Sequence, residues 1–129
     1  MSKATNLIGL GVPAEVAATS GSSQSITVSA AGSALSDATQ LSTADVINVS
    51  TVASSTGVKL NSSVPQDKVI FVRNGGANNL KVYPATSAGV INGGSAGAAV
   101  TLATSGKHIG VFLKIGNDTW LAGDIASAS

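Results

Sequence analysis

Apolar residues recur at every second position over short stretches of this chain, and each stretch ends at a cluster of Gly, Asn, Asp or Ser. In KHIGVFLKI, Ile109, Val111, Leu113 and Ile115 share one face. NNLKVYP sets Leu80 and Val82 against Lys81 and Tyr83, and GVKLN sets Val58 and Leu60 against Lys59. SQSITVSAA alternates Ile26, Val28 and Ala30 with Thr27 and Ser29, and DVINVSTV alternates Ile47 and Val49 with Asn48 and Ser50. A period of two is the pleat of a β-strand and does not build one face of a helix. DKVIFVR is a continuous apolar run and reads as a strand buried on both faces. AAVTLAT follows, and GND turns KHIGVFLKI back into TWLAGDI. About eight short strands with Gly/Asn/Ser turns predict an all-β domain, an antiparallel β-sandwich or barrel. No strict internal repeat is present, although the loops NGGANN and NGGSAG look alike. Their Gly75, Gly76, Gly93 and Gly94 are expected to supply positive φ and tight reversals.

The first 21 residues read differently and are expected to form an arm, with residues 22–129 as a single β domain. Leu7, Ile8, Leu10 and Val12 lie among glycines, and Pro13 opens the short helical stretch PAEVAATSG. Pro at the first helical position, Glu15 in the first turn and Gly21 just past the end fit helix-terminus rules. One or two turns of helix do not stand alone in water, so the segment must dock on its own domain or on a partner.

Composition narrows the partners. The chain has seven basic and six acidic residues. Lys59, Lys68, Arg73, Lys81, Lys107 and Lys114 form no run, and no nucleic-acid partner is expected. Charged residues are 10% of the chain, against roughly 25% in ordinary soluble domains. So few charges protect a lone monomer weakly, and part of the surface is expected to be covered in an oligomer or a larger assembly. There are no cysteines, which removes disulfides and thiolate metal sites. The N-terminus is a poor secretory signal, and IGVFLKI falls far short of the roughly 20 residues that cross a bilayer, so no membrane partner is expected.

No constellation of reactive residues emerges. GGSAG (Gly93–Gly97) lacks the lysine-Ser/Thr end of a phosphate loop. His108 is the sole histidine, and a triad of Ser105, His108 and Asp118 fails because a Ser three residues before a His on a strand projects to the other face. Glu15, Asp37, Asp45, Asp67, Asp118 and Asp124 never form a close pair, and no spaced ligand loop accompanies Asp118 and Asp124. No enzyme, metal or cofactor is expected. Tyr83 and Trp120 are either core or interface anchors or, if exposed beside the Asn-rich loops, a surface on which a sugar ring stacks.

The phrase ATNLIGLGVPAEVAA, followed later by VRNGGANNLKVYPATSAGVINGGSAGAAVTL, resembles small virion proteins of tailed bacteriophages, particularly head decoration (cement) proteins. The likeness is best over residues 4–18 and 71–102. It implies a compact β domain with an N-terminal arm, a homo-oligomer (trimer) made in the host cytoplasm and placed on the capsid surface of the virion. The implied partner is the major capsid protein, met by the arm residues Leu7, Ile8, Leu10, Val12, Pro13 and Val16. The alternative is a glycan-binding or connector module of a phage fibre or tail, with Tyr83 and Trp120 as glycan contacts.

Overall fold

The computed structural model describes residues 25–104 and 108–126; the arm, with its expected helical stretch, lies outside the described residues. Ten strands run through them: β1 (Ser25–Ser29), β2 (Thr39–Gln40), β3 (Val46–Thr51), β4 (Gly57–Lys59), β5 (Val69–Asn74), β6 (Leu80–Tyr83), β7 (Val90–Ile91), β8 (Val100–Leu102), β9 (His108–Gly116) and β10 (Thr119–Ala126). No helix occurs among the described residues, and the fold is all-β. A six-stranded sheet has the order β1-β3-β5-β9-β10-β7, and a four-stranded sheet has the order β2-β4-β6-β8.

The expected antiparallel arrangement is corrected to two mixed sheets. From β1 to β6 successive strands alternate between the sheets, odd strands in the larger and even strands in the smaller. β1 therefore pairs with β3, β3 with β5, β2 with β4 and β4 with β6, all in parallel. Parallel neighbours need a long crossover, usually a helix, and here a strand of the opposite sheet serves instead. The Gly/Asn/Ser turns that suggested hairpins carry the chain from one sheet to the other. Only the last part reverses: β8 runs antiparallel to β6, and β9 antiparallel to β5 and β10. The hairpin expected at GND joins β9 to β10.

This winding contains a repeat that the residues conceal. Ile26, Ile47 and Val72 are lateral neighbours, as are Val28, Val49 and Asn74; in the smaller sheet Thr39, Val58 and Val82 line up. Partners recur about every 20–25 residues, a solenoid-like spacing. Only the inward position of each turn is constrained to be apolar, so composition elsewhere drifts.

The two sheets share one core. Ile47, Val49, Ile70, Val72, Phe112 and Trp120 come from the larger sheet, and Val58, Leu80, Val82 and Leu102 from the smaller. DKVIFVR is not buried on both faces: Ile70 and Val72 are in the core, but Val69 and Phe71 are exposed. The glycine expectation also needs correction. Of Gly75, Gly76, Gly93 and Gly94, only Gly93 adopts a positive φ, at 69°.

The NGGANN loop is held instead by Asn74, which is fully buried. Its Nδ2 donates to the carbonyls of Asn78 (2.9 Å), Leu102 (3.1 Å) and Ala103 (3.1 Å), and its Oδ1 accepts from the Gly76 amide at 3.1 Å. One side chain of β5 thus ties the larger sheet to the end of β8 in the smaller. Asn74→Ala is expected to cost about 2–4 kcal/mol, because buried carbonyls and an amide lose their partner without gaining water. Urea unfolding checks this, and a loss below about 0.5 kcal/mol, the scale of an ordinary surface change, would contradict the clamp.

Candidate functional site

The feature that sets this molecule apart is the outward face of the six-stranded sheet. β9 has two faces to offer. One carries Ile109, Val111, Leu113 and Ile115; the other carries Gly110, Phe112 and Lys114. The more apolar set is turned outward. Phe112 is fully buried, whereas Ile109 and Ile115 are 38% and 40% exposed. Two local facts permit this choice. A Cβ at Gly110 would lie 2.7 Å from the Phe112 ring and 2.8 Å from a Leu102 methyl, so a larger residue there would have to displace these side chains from where the opposite sheet packs. Lys114 is buried, yet its Nζ donates to the carbonyls of Ser62 and Val64, both at 2.8 Å, and lies 5.9 Å from the centre of the Trp120 ring.

Neighbouring strands extend the outward set. Val46, Phe71 and Val111 form one cross-strand row over β3, β5 and β9. Val69, Leu113 and Leu121 form the next over β5, β9 and β10. Val46, Val69, Phe71 and Leu121 are 38–47% exposed, and neither row contains a charged side chain. The margins are polar. On β1 the exposed residues are Ser25, Thr27 and Ser29, and on β5 Arg73 donates to Asn48 Oδ1 at 3.0 Å. Val46, Val69, Phe71 and Leu121 escape notice in the sequence, since their alternation there looks like ordinary core patterning. The signal available was quantity: both faces of β5 and β9 carry large apolar side chains, which is more than one core can cover.

The residues expected to make contacts fall in two groups. Leu7, Ile8, Leu10, Val12, Pro13 and Val16 lie outside the described residues. Tyr83 is buried at 8% exposure, with its hydroxyl 3.3 Å from the Ser33 carbonyl, and Trp120 is fully buried. Neither ring offers a face on which a sugar could stack.

Trp120 is instead part of a polar knot centred on Asp118, a buried carboxylate at the β9–β10 turn. Asp118 accepts from the Ala85 amide (2.9 Å), the Thr86 amide (2.8 Å), the Thr86 hydroxyl (2.6 Å) and the Trp120 indole N–H (3.0 Å). Burial raises its pKa, but the hydrogen bonds from the Thr86 hydroxyl, the Trp120 indole and the Ala85 and Thr86 amides outweigh burial and leave it lowered. With both oxygens so engaged, Asp118 serves as a tie between the β6–β7 loop and the hairpin. Ser105 and the side chain of His108 lie outside the described residues. Among the described residues no three His, Cys, Asp or Glu side chains gather as a metal site would require.

The comparisons with known proteins add no neighbour: no family model, no curated protein and no solved structure matches this chain.

Proposed function

We propose that this chain is a virion structural protein that decorates and stabilises the outer surface of an assembled phage capsid. In this reading it acts as a trimer whose sandwich-like β bodies make lateral contacts and whose N-terminal arms bridge capsid subunits. The observation that carries the reading is the uncharged apolar face around Phe71, Leu113 and Leu121, a surface suited to repeated protein contacts. It accompanies a body whose polar knots, at Asn74 and Asp118, tie strands together. β1, the first described strand after the arm in the chain, is an edge strand of the larger sheet among the described residues, and such an edge suits strand addition.

A clamp of this kind needs no catalysis. It binds the assembled shell in preference to free subunits and stabilises the shell by mass action. Four apolar arm side chains, Leu7, Ile8, Leu10 and Val12, would contribute on the order of 6 kcal/mol on burial, before ordering costs remove much of it. Three linked arms recover the loss through effective concentration. The glycan-module alternative lacks its stacking surface, since Tyr83 and Trp120 are buried.

Co-sedimentation with phage heads stripped of this protein tests the proposal, using the full chain and a chain lacking residues 1–21. Saturable binding by the full chain, lost with the arm, is the expected result. If neither form sediments with heads, the capsid role is wrong.

A further inference from the structure

We infer that the outward face of the six-stranded sheet, centred on Phe71, Leu113 and Leu121, is the surface through which copies of this chain associate with one another. The inference deepens the decoration reading by assigning the contacts of its oligomer, and it rests on that reading only for the number of copies.

Size argues first. Val46, Val69, Phe71, Ile109, Ile115 and Leu121 are each about two-fifths exposed, leaving on the order of 400 Å² of apolar surface open, within the range that on monomers is often functional. Interface cores are about 65% apolar, so this patch with its polar rim comes to roughly 600–700 Å² a side. A stable complex buries roughly 800 Å² per partner, and the face comes near that figure.

Chemistry selects the occupant. The rows Val46–Phe71–Val111 and Val69–Leu113–Leu121 carry no charge. A charged partner surface would lose its hydration over these rows, and the nearest charge on the same face, Arg73 beside Ile109, lies at the margin. A second copy brings the same apolar rows and incurs no such cost. Two sheet faces also pack well against each other, about 10 Å apart. The competing occupant is the chain's own arm. Ser25, where β1 begins, is two strand spacings, or about 10 Å, from β5, so the arm has the reach to cover the face.

Sedimentation velocity without heads separates these outcomes. The full chain, Thr27→Glu on the polar margin and the chain lacking residues 1–21 are expected to form the same oligomer. Phe71→Glu and Leu113→Glu are expected to weaken association by about a hundredfold and to run as monomers with unchanged circular dichroism. As a second readout, Leu121→Cys gives the cysteine-free chain a single thiol, which a short bismaleimide should link between copies. Ser54→Cys, exposed between β3 and β4, should not link.

A monomeric full chain overturns the inference. So does an oligomer that both glutamates leave intact, a Leu121→Cys chain that fails to link, or a monomer that associates only once its arm is removed. The two proposals fail separately. A chain that associates through this face but never binds heads loses the capsid role alone, and one that binds heads but ignores the glutamates loses this interface alone.

Discussion

Trp120→Ala is expected to bring the protein to the edge of unfolding. The side chain is fully buried in the shared core, so its removal leaves the largest cavity any single truncation here can make. Cavities from aromatic truncation cost about 3–5 kcal/mol. Two further losses follow. The Asp118 carboxylate loses its 3.0 Å bond from the indole N–H, and the Lys114 ammonium loses the ring 5.9 Å away. Hydrogen bonds to charged groups are worth about 1.5–3 kcal/mol, so the total rivals the 5–15 kcal/mol by which whole domains are stable. A fall in melting temperature of roughly 15 °C or more is expected for a chain of this size. Far-UV circular dichroism is the probe, because the substitution removes the only Trp. Trp120→Phe, which keeps a ring but loses the N–H, should fall between the two. A Trp120→Ala protein melting within about 3 °C of the parent would show that the ring is not a core residue.

Acid should unlock the Asp118 knot. Its folded pKa lies below the ordinary 3.8, so the folded state holds the ionised form more firmly than the unfolded chain does. The resulting stability is fully present above the unfolded value and is lost as pH falls through the lower folded value. The parent protein is therefore expected to lose this contribution as pH falls below about 4, the ordinary carboxylate range. Asp118→Asn should remove that slope and cost about 2–4 kcal/mol at neutral pH. The amide has one acceptor oxygen where the carboxylate has two, and its NH₂ would face donors from Ala85, Thr86 and Trp120. Urea midpoints between pH 2 and 7 compare the two proteins. Parallel curves would mean that the acid sensitivity arises elsewhere.

Both predictions concern side chains whose roles the sequence understates. Lys114 looks like one more scattered surface charge, and its burial depends on the carbonyls of Ser62 and Val64, some fifty positions earlier. Asp118 looks like a turn residue, and it is one, with φ at 43°; its partners at Ala85 and Thr86 come from a different loop. Asn74 sits in a stretch that reads as turn chemistry, yet it secures Leu102 and Ala103 across the core. Hydrogen bonds between residues far apart in the chain leave no local pattern, which is why such knots are invisible until the strands are placed.

Local alternation is enough for the class of fold and much of its inner lining. Alternation at Ile47/Val49, Val58/Leu60 and Leu80/Val82 marks residues that are fully buried, because a strand's pleat divides its side chains with no help from the rest of the fold. The reversal at GND was equally local. The tertiary structure alone decided which strands are neighbours and which face is covered. Alternation defines two faces of β9 but not which of them is core; Gly110 and Lys114 make the less apolar face the inner one by fitting Leu102 and the carbonyls beyond it. Likewise, nothing within a single turn reveals that β1 lies beside β3 and not β2, since that pairing is set by how two sheets close over one core. The apolar face left outside is the residue of that decision: one core had room for one face of each central strand, and the other remained exposed.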